Sequence, residues 1–298
     1  MVDKRNRSSS AGLERLCGPK GQRRANGRDW FRAVASAPGV ELFEAWFEGH
    51  AYDKHRHDTY AIGLTDLGVQ AFDYRGASQA STAGKVIVLH PDEAHDGHAG
   101  SDEGFGYRML YVSPVRVIEA VRQIAGPRAS LPFVPEAVSV NPKLAGVIGT
   151  AFHDGFQPRL EPLAADSMIF ELAEGLRQGD PKSVSGTSCR NFDLAALEKA
   201  RQFLDAEHHR VVASAELEMV SGLTRYDLAR QFRSAFGTSP YRYSLARRLD
   251  YARCRLSPQG SLAELALEAG FADQAHFTRM FKSAFGLTPS RYAKLYAA

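Results

Sequence analysis

The chain has 298 residues, enough for about two domains of ordinary size, and its 44% hydrophobic and 10% aromatic content can build packed cores. No apolar run approaches the ~20 residues of a membrane helix, no apolar segment follows the basic N-terminus as in a secretory signal, and Cys17, Cys189 and Cys254 are too few and scattered for a disulfide framework; a cytoplasmic protein is expected. The net charge of +3 conceals a division, with 8 Lys/Arg against 2 Asp/Glu in residues 1–28, 13 against 21 in 29–189, and 16 against 11 in 190–298, the asymmetry expected when one end alone meets a polyanion.

In chain order, residues 1–28 are rich in Arg, Lys, Ser and Gly and have little to bury, which predicts a disordered basic arm. From Trp30 to Tyr111 short apolar or alternating segments, such as 40–47, 60–64, 68–74, 85–90 and 106–112, are punctuated by Gly, Asp and Pro. That texture predicts an antiparallel sandwich or barrel. Segments 114–125, 142–156 and 163–178 carry apolar residues at helical spacing. In the last, Leu163, Met168, Ile169, Leu172, Ala173 and Leu176 share a face that packs on the barrel or against a second subunit, making a homodimer a possible partner arrangement. Residues 29–178 thus form one domain. The Pro/Gly/Ser-rich stretch 179–191 is the expected linker, and 192–298 form a second, helical domain beginning at an Asp193 cap.

That helical domain contains an internal repeat. Leu217, Gly222, Leu228, Arg230, Phe232, Phe236, Gly237, Pro240 and Tyr243 recur as Leu265, Gly270, Phe277, Arg279, Phe281, Phe285, Gly286, Pro289 and Tyr292. Partners from Leu228 onward lie 49 residues apart, whereas the first glycines lie 48 apart, which places one inserted residue in a turn. Two copies are too few for a solenoid. Each reads as a short apolar helix, a glycine turn and a second amphipathic helix, the helix-turn-helix order. Between them, Ser239-Pro240 opens a helix reaching about Leu256, with Arg242, Arg247, Arg248, Arg253 and Arg255 along it. In the second helix of each copy, Leu228/Phe232/Phe236 and Phe277/Phe281/Phe285 must face the core. Arg225, Tyr226, Ala229 and Arg230, with Arg233 behind them, lie toward other faces, and Gln274, Ala275, His276, Thr278 and Arg279 are left for solvent or DNA.

Region 192–296 resembles the DNA-binding domain of the AraC/XylS family of bacterial transcription regulators, and GFADQAHFTRMFKSAFGLTPSRY in the second copy matches that family's signature nearly residue for residue. The resemblance implies two helix-turn-helix modules joined by a long helix, each recognition helix in a major groove of double-stranded promoter DNA, with Arg225, Tyr226, Ala229 and Arg230 in the first and Gln274, Ala275, His276 and Arg279 in the second as the base-facing positions. It also implies RNA polymerase as a partner.

The N-terminal region resembles the cupin-like arm of many such regulators, which senses a small-molecule effector, through the stretches His55-Arg56-His57-Asp58-Thr59-Tyr60 and Gly84 to His95. His55, His57, Tyr60 and His95 are the expected effector-binding residues. Strand alternation puts His55 and His57 on one face, so His55, His57 and His95 could form a three-histidine metal set. However, the position four after His57, where metal-binding cupins carry Glu, is Ala61. No metal, cofactor or catalytic residue is therefore expected. A metal-dependent cupin enzyme with an attached helical module is the alternative.

Overall fold

The computed structural model of the chain describes residues 29–153, 160–184 and 193–296. The expected basic arm, and residues 185–191 of the expected linker, lie outside the described residues. Nine strands come first among them: β1 (Trp30–Ala37), β2 (Val40–Phe47), β3 (His50–His55), β4 (Tyr60–Tyr74), β5 (Ala77–Thr82), β6 (Val86–Leu89), β7 (His95–Ala99), β8 (Phe105–Val112) and, after the helix α1 (Pro114–Ala125), the short β9 (Val138–Ser139). α2 (Pro142–His153) and α3 (Pro162–Gln178) complete the first half.

β4 organises the sheet. Its first part pairs antiparallel with β8 and β6, its second with β5 and β7, and the main path runs β1-β2-β8-β4-β6-β9 with β3 joined through β7. The two segments expected at 60–64 and 68–74 are one strand because a bulge at Thr65/Leu67 absorbs the irregularity. Gly68 there has φ +69°, and a Cβ would overlap the Gly104 carbonyl. The expected barrel is corrected to a sheet-rich domain: β1 and β9 end the main path without pairing to each other among the described residues.

Alternation along the strands sends side chains to two cores. Val40 and Leu42 of β2, with Leu110 and Val112 of β8, pack under α1–α3. Phe43, Ala45 and Phe47, with Tyr107 and Met109, face the other way, and that second core continues into the C-terminal half through Leu249, Phe277, Phe281 and Tyr292. The Asp180 carboxylate is buried and accepts from the backbone N–H groups of Phe133 (3.1 Å) and Lys182 (2.9 Å), so the expected linker begins with a tethered 3-10 turn, Pro181–Val184.

The C-terminal half is helical: α4 (Leu194–Ala206), α5 (Ser214–Ser221), α6 (Arg225–Phe236), α7 (Pro240–Arg253), α8 (Leu262–Glu268), α9 (Gln274–Phe285) and α10 (Pro289–Tyr296). Asp193, Thr224, Ser239, Ser261 and Asp273 each cap a helix with a side-chain oxygen. Gly222 and Gly270 share φ +73°. Two residues separate Gly222 from α6 and three separate Gly270 from α9, which locates the insertion behind the 48/49 change of spacing.

Candidate functional site

The two 12-residue helices α6 and α9 bury the same positions, Leu228/Phe232 and Phe277/Phe281. On the opposite side Arg225, Tyr226, Ala229 and Arg230 of α6 are exposed, as are Gln274, Ala275 and Arg279 of α9. His276 is half-buried, its ring edge-on to Phe271 at 5.5 Å. Arg225 is held by Glu218 (3.3 Å), which also takes its backbone N–H, and Arg230 by Asp227 (2.6 Å). These pairs are solvent-exposed, where holding costs little to undo. Exposed Arg and Gln, with the half-buried His276, present the donors and acceptors needed for base edges and phosphates.

A second feature lies where the halves meet. A cavity of about 120 Å3 is walled by Glu41, Phe43, His55, His57, Asp58 and Tyr111 from the sheet side and by Arg247, Asp250, Arg253, Phe285 and Tyr292 from the helices. Arg253 donates from both terminal nitrogens to Glu41 (2.8 and 2.6 Å), and Arg247 to Asp58 (2.7 Å), with Asp250 between the two arginines at 3.3 and 3.6 Å. Burial raises the pKa of Asp250, against the pull of both guanidiniums. Backbone bonds reinforce the seam, Asp53 N–H to Gly286 O (3.1 Å) and Arg56 N–H to Ser283 O (3.0 Å). Gly286 is required there: φ is +69°, and a Cβ would stand 2.8 Å from the Tyr52 Cβ and 2.9 Å from His55 Nδ1.

His55, His57 and His95 are brought together, with ring centroids 4.3 Å (55–95), 4.9 Å (57–95) and 6.2 Å (55–57) apart. Each Nδ1 engages a nearby backbone carbonyl, of Asp53, Thr59 and Glu93 respectively. Burial holds all three neutral, depressing His55 to about 4 and His57 to about 3, the latter helped by His55, and His95 well below its usual value. Among the described residues no group of three or more His, Cys, Asp or Glu is placed to hold a metal ion. His55 and His57 line the cavity, whereas His95 backs them from behind. Tyr60 is elsewhere: its hydroxyl donates to the Pro132 carbonyl (2.8 Å) within the core under α1–α3.

Sequence reasoning missed the α7 arginines as partners of the N-terminal half. Arg242 pairs with the buried Asp92, Arg247 with Asp58 and Arg253 with Glu41, while Lys282 pairs with Asp53 and Arg291 with Asp29. In all five the cation is C-terminal and the carboxylate N-terminal. Part of the charge asymmetry is therefore spent inside the protein, and the only advance signal was the acidic balance of 29–189 opposite a helix dense in arginine.

Residues 37–172 match the model of an AraC-like ligand binding domain and residues 220–295 that of a helix-turn-helix domain. The chain is similar to the uncharacterized HTH-type transcriptional regulator YbfI of Bacillus subtilis (strain 168), 24% identical over 247 residues covering 82% of this chain and 89% of the relative. It is also similar in fold to solved structures of ToxT from Vibrio cholerae. One matches with a TM-score of 0.59 at 14% identity, over 90% of this chain and 100% of that one. The unsaturated fatty acid-bound form matches with a TM-score of 0.57 at 18% identity, over 92% and 98%.

Proposed function

The chain belongs to the AraC-type family of transcription regulators, with a ligand-binding N-terminal domain and a helix-turn-helix DNA-binding domain, and from that membership we propose how the two halves act on promoter DNA. It is a regulator and not an enzyme, so the alternative of a metal-dependent cupin enzyme falls away. α5–α6 and α8–α9 serve as two helix-turn-helix modules joined by α7, with α6 and α9 each in a major groove. Arg225, Tyr226, Ala229 and Arg230 face bases in one groove, and Gln274, Ala275, His276 and Arg279 in the other. Ala229 and Ala275 offer apolar contact only, as with a thymine methyl. The observation that carries this reading is the shared layout of α6 and α9, one face of buried aromatic or aliphatic residues and the other of exposed polar ones.

The ligand-binding half seats a small-molecule effector in the seam cavity, with His55 and His57 on its wall. A ligand shifts DNA binding only if it favours one arrangement of the halves over another. A seat walled by both halves supplies that difference, because its contacts to Arg247 and Arg253 exist only while they are docked. The exposed Leu163 and Phe170 of α3 support a homodimer contact on the outer helices. Engagement of RNA polymerase follows from the family, as does a cytoplasmic setting.

The DNA reading is tested by selecting duplexes from a random library with the full chain, then measuring Arg279→Ala and Arg230→Ala on the preferred site. Each loses about 1–3 kcal/mol and relaxes preference at one base pair if it reads guanine. Equal weakening on every sequence would make that arginine a phosphate contact, and failure to enrich any sequence would sink the reading.

A further inference from the structure

The likeness of α6 and α9 extends to their last turns. Arg233 and Lys282 stand 49 residues apart, the same offset as Arg230 and Arg279, and each is the basic residue in the last turn of its helix. Residues three and four apart on a helix are neighbours on one face. Arg233 therefore adjoins Ala229 and Arg230, two turns beyond Tyr226, and Lys282 adjoins Thr278 and Arg279, two turns beyond Ala275. The row that each helix turns away from its core ends on an exposed cation.

In both copies that cation meets a carboxylate of the sheet domain. Lys282 Nζ lies 2.7 Å from Asp53 Oδ2, and Arg233 Nη1 lies 4.0 Å from Asp92 Oδ2. The aspartates come from unrelated places, Asp53 from β3 and Asp92 from the turn between β6 and β7, so a repeated cation is met by carboxylates that no repeat supplies. Neither contact is a strong anchor. The side chains of Lys282 and Asp53 are each 48% exposed, where an ion pair is worth little. Asp92 is buried, but its nearer partner is Arg242, and the Arg233 side chain stays 67% exposed. The better buried pairs, Arg247 with Asp58 and Arg253 with Glu41, hold the halves together without them.

Resting on the reading of α6 and α9 as the helices that enter DNA, we infer that Arg233 and Lys282 are phosphate contacts at equivalent points of the two modules, and that Asp92 and Asp53 stand in for the phosphates when DNA is absent. The N-terminal residues of a helix in the major groove reach the base edges, so a cation in its last turn lies toward the sugar–phosphate rim. A phosphate that takes up Lys282 brings its charge beside Asp53, and like charges placed together repel. The sheet domain and the DNA backbone thus compete for the same two cations, and at Lys282 the exchange costs little because the pair is exposed.

The test measures binding of the full chain to its selected duplex, and to a scrambled duplex of the same length, across a series of KCl concentrations. Lys282→Gln and Arg233→Gln should each weaken both duplexes by the same factor and make the slope of log K against log salt shallower by about 0.9, while Lys282→Arg keeps the slope. Asp53→Asn should tighten binding by about 2- to 5-fold at low salt, the scale of an exposed ion pair, and should do nothing in the Lys282→Gln background. If the wild type binds its duplex but both Gln variants keep its slope, the phosphate assignment is wrong and the reading of the helices survives. Tightening by Asp53→Asn that persists without Lys282 would make Asp53 a general repulsive charge and overturn the competition. A wild-type chain that binds no duplex sinks the reading of the helices and this inference together.

Discussion

The two repeat copies share a framework and differ in what holds them. In the second copy a column of rings runs from Phe277 to Phe281 (5.5 Å), to Tyr292 (5.5 Å), across to Phe31 (5.2 Å) and on to Phe43 (5.1 Å), so its core and the sheet's core are one. The corresponding rings of the first copy, Phe232, Phe236 and Tyr243, close on α4 and α5 in a separate cluster, which touches the N-terminal half through Val115 at its margin. Both copies end their second helix on a glycine against the sheet domain. Gly237 faces the Pro91 side chain, whereas Gly286 faces the backbone and ring of the β3 strand. One copy is fused to the ligand-binding half and the other rests on it. The lesson is that a repeat conserves its internal spacing while its outward residues decide to what it is anchored.

The largest expected effect tests that anchorage at its charged end. Arg253→Met strands Glu41 in a buried seam and leaves Asp250 with Arg247 alone (3.3 Å), and should cost about 3–5 kcal/mol in urea unfolding. Arg242→Met, at the first copy, leaves Asp92 with Arg233 at 4.0 Å and should cost about 1–2 kcal/mol. Equal losses would break the comparison.

Next comes the backbone approach. Gly286→Ala combines a left-handed φ with contacts under 3.0 Å and should lose about 3 kcal/mol. At Gly222 φ is equally positive but nothing stands within 4 Å of a Cβ, so Gly222→Ala should lose only about 1 kcal/mol. Thermal unfolding of the two variants side by side measures the difference.

A pH dependence comes last. In the unfolded chain His57 takes up a proton near pH 6.5, but burial lowers its folded pKa to about 3. Between those values the unfolded state binds more protons, so stability falls as pH drops through the window, by about 2 kcal/mol for one histidine between pH 6.5 and 5. His57→Gln should flatten the slope by that amount in denaturation at the two pH values. An unchanged slope would mean that the ring is not held neutral.

Much of this was legible in the sequence. The apolar spacing of α6 and α9, the capping residues Thr224 and Asp273, and the paired glycines are local signals, and local hydrogen bonds and helical periodicity produced them. α1 matches its expected limits to the residue, because Ser113-Pro114 opens it and Gly126 ends it. The seam was not legible. Glu41 and Arg253 are 212 residues apart, Asp58 and Arg247 are 189 apart, and no local pattern links a strand-end carboxylate to one arginine among the four on α7. Tyr60 shows the same limit in reverse. It stands three residues from His57, yet its place after the turn carries its ring into the other core.

Hydrogen–deuterium exchange on the full chain tests the central claim, that the second copy is continuous with the ligand-binding half and the first is not. Backbone amides of 277–285 should exchange as slowly as those of β2 and β8, in one cooperative unit, and those of 228–236 should exchange faster. Equal protection of the two helices, or greater protection of the first, would contradict it.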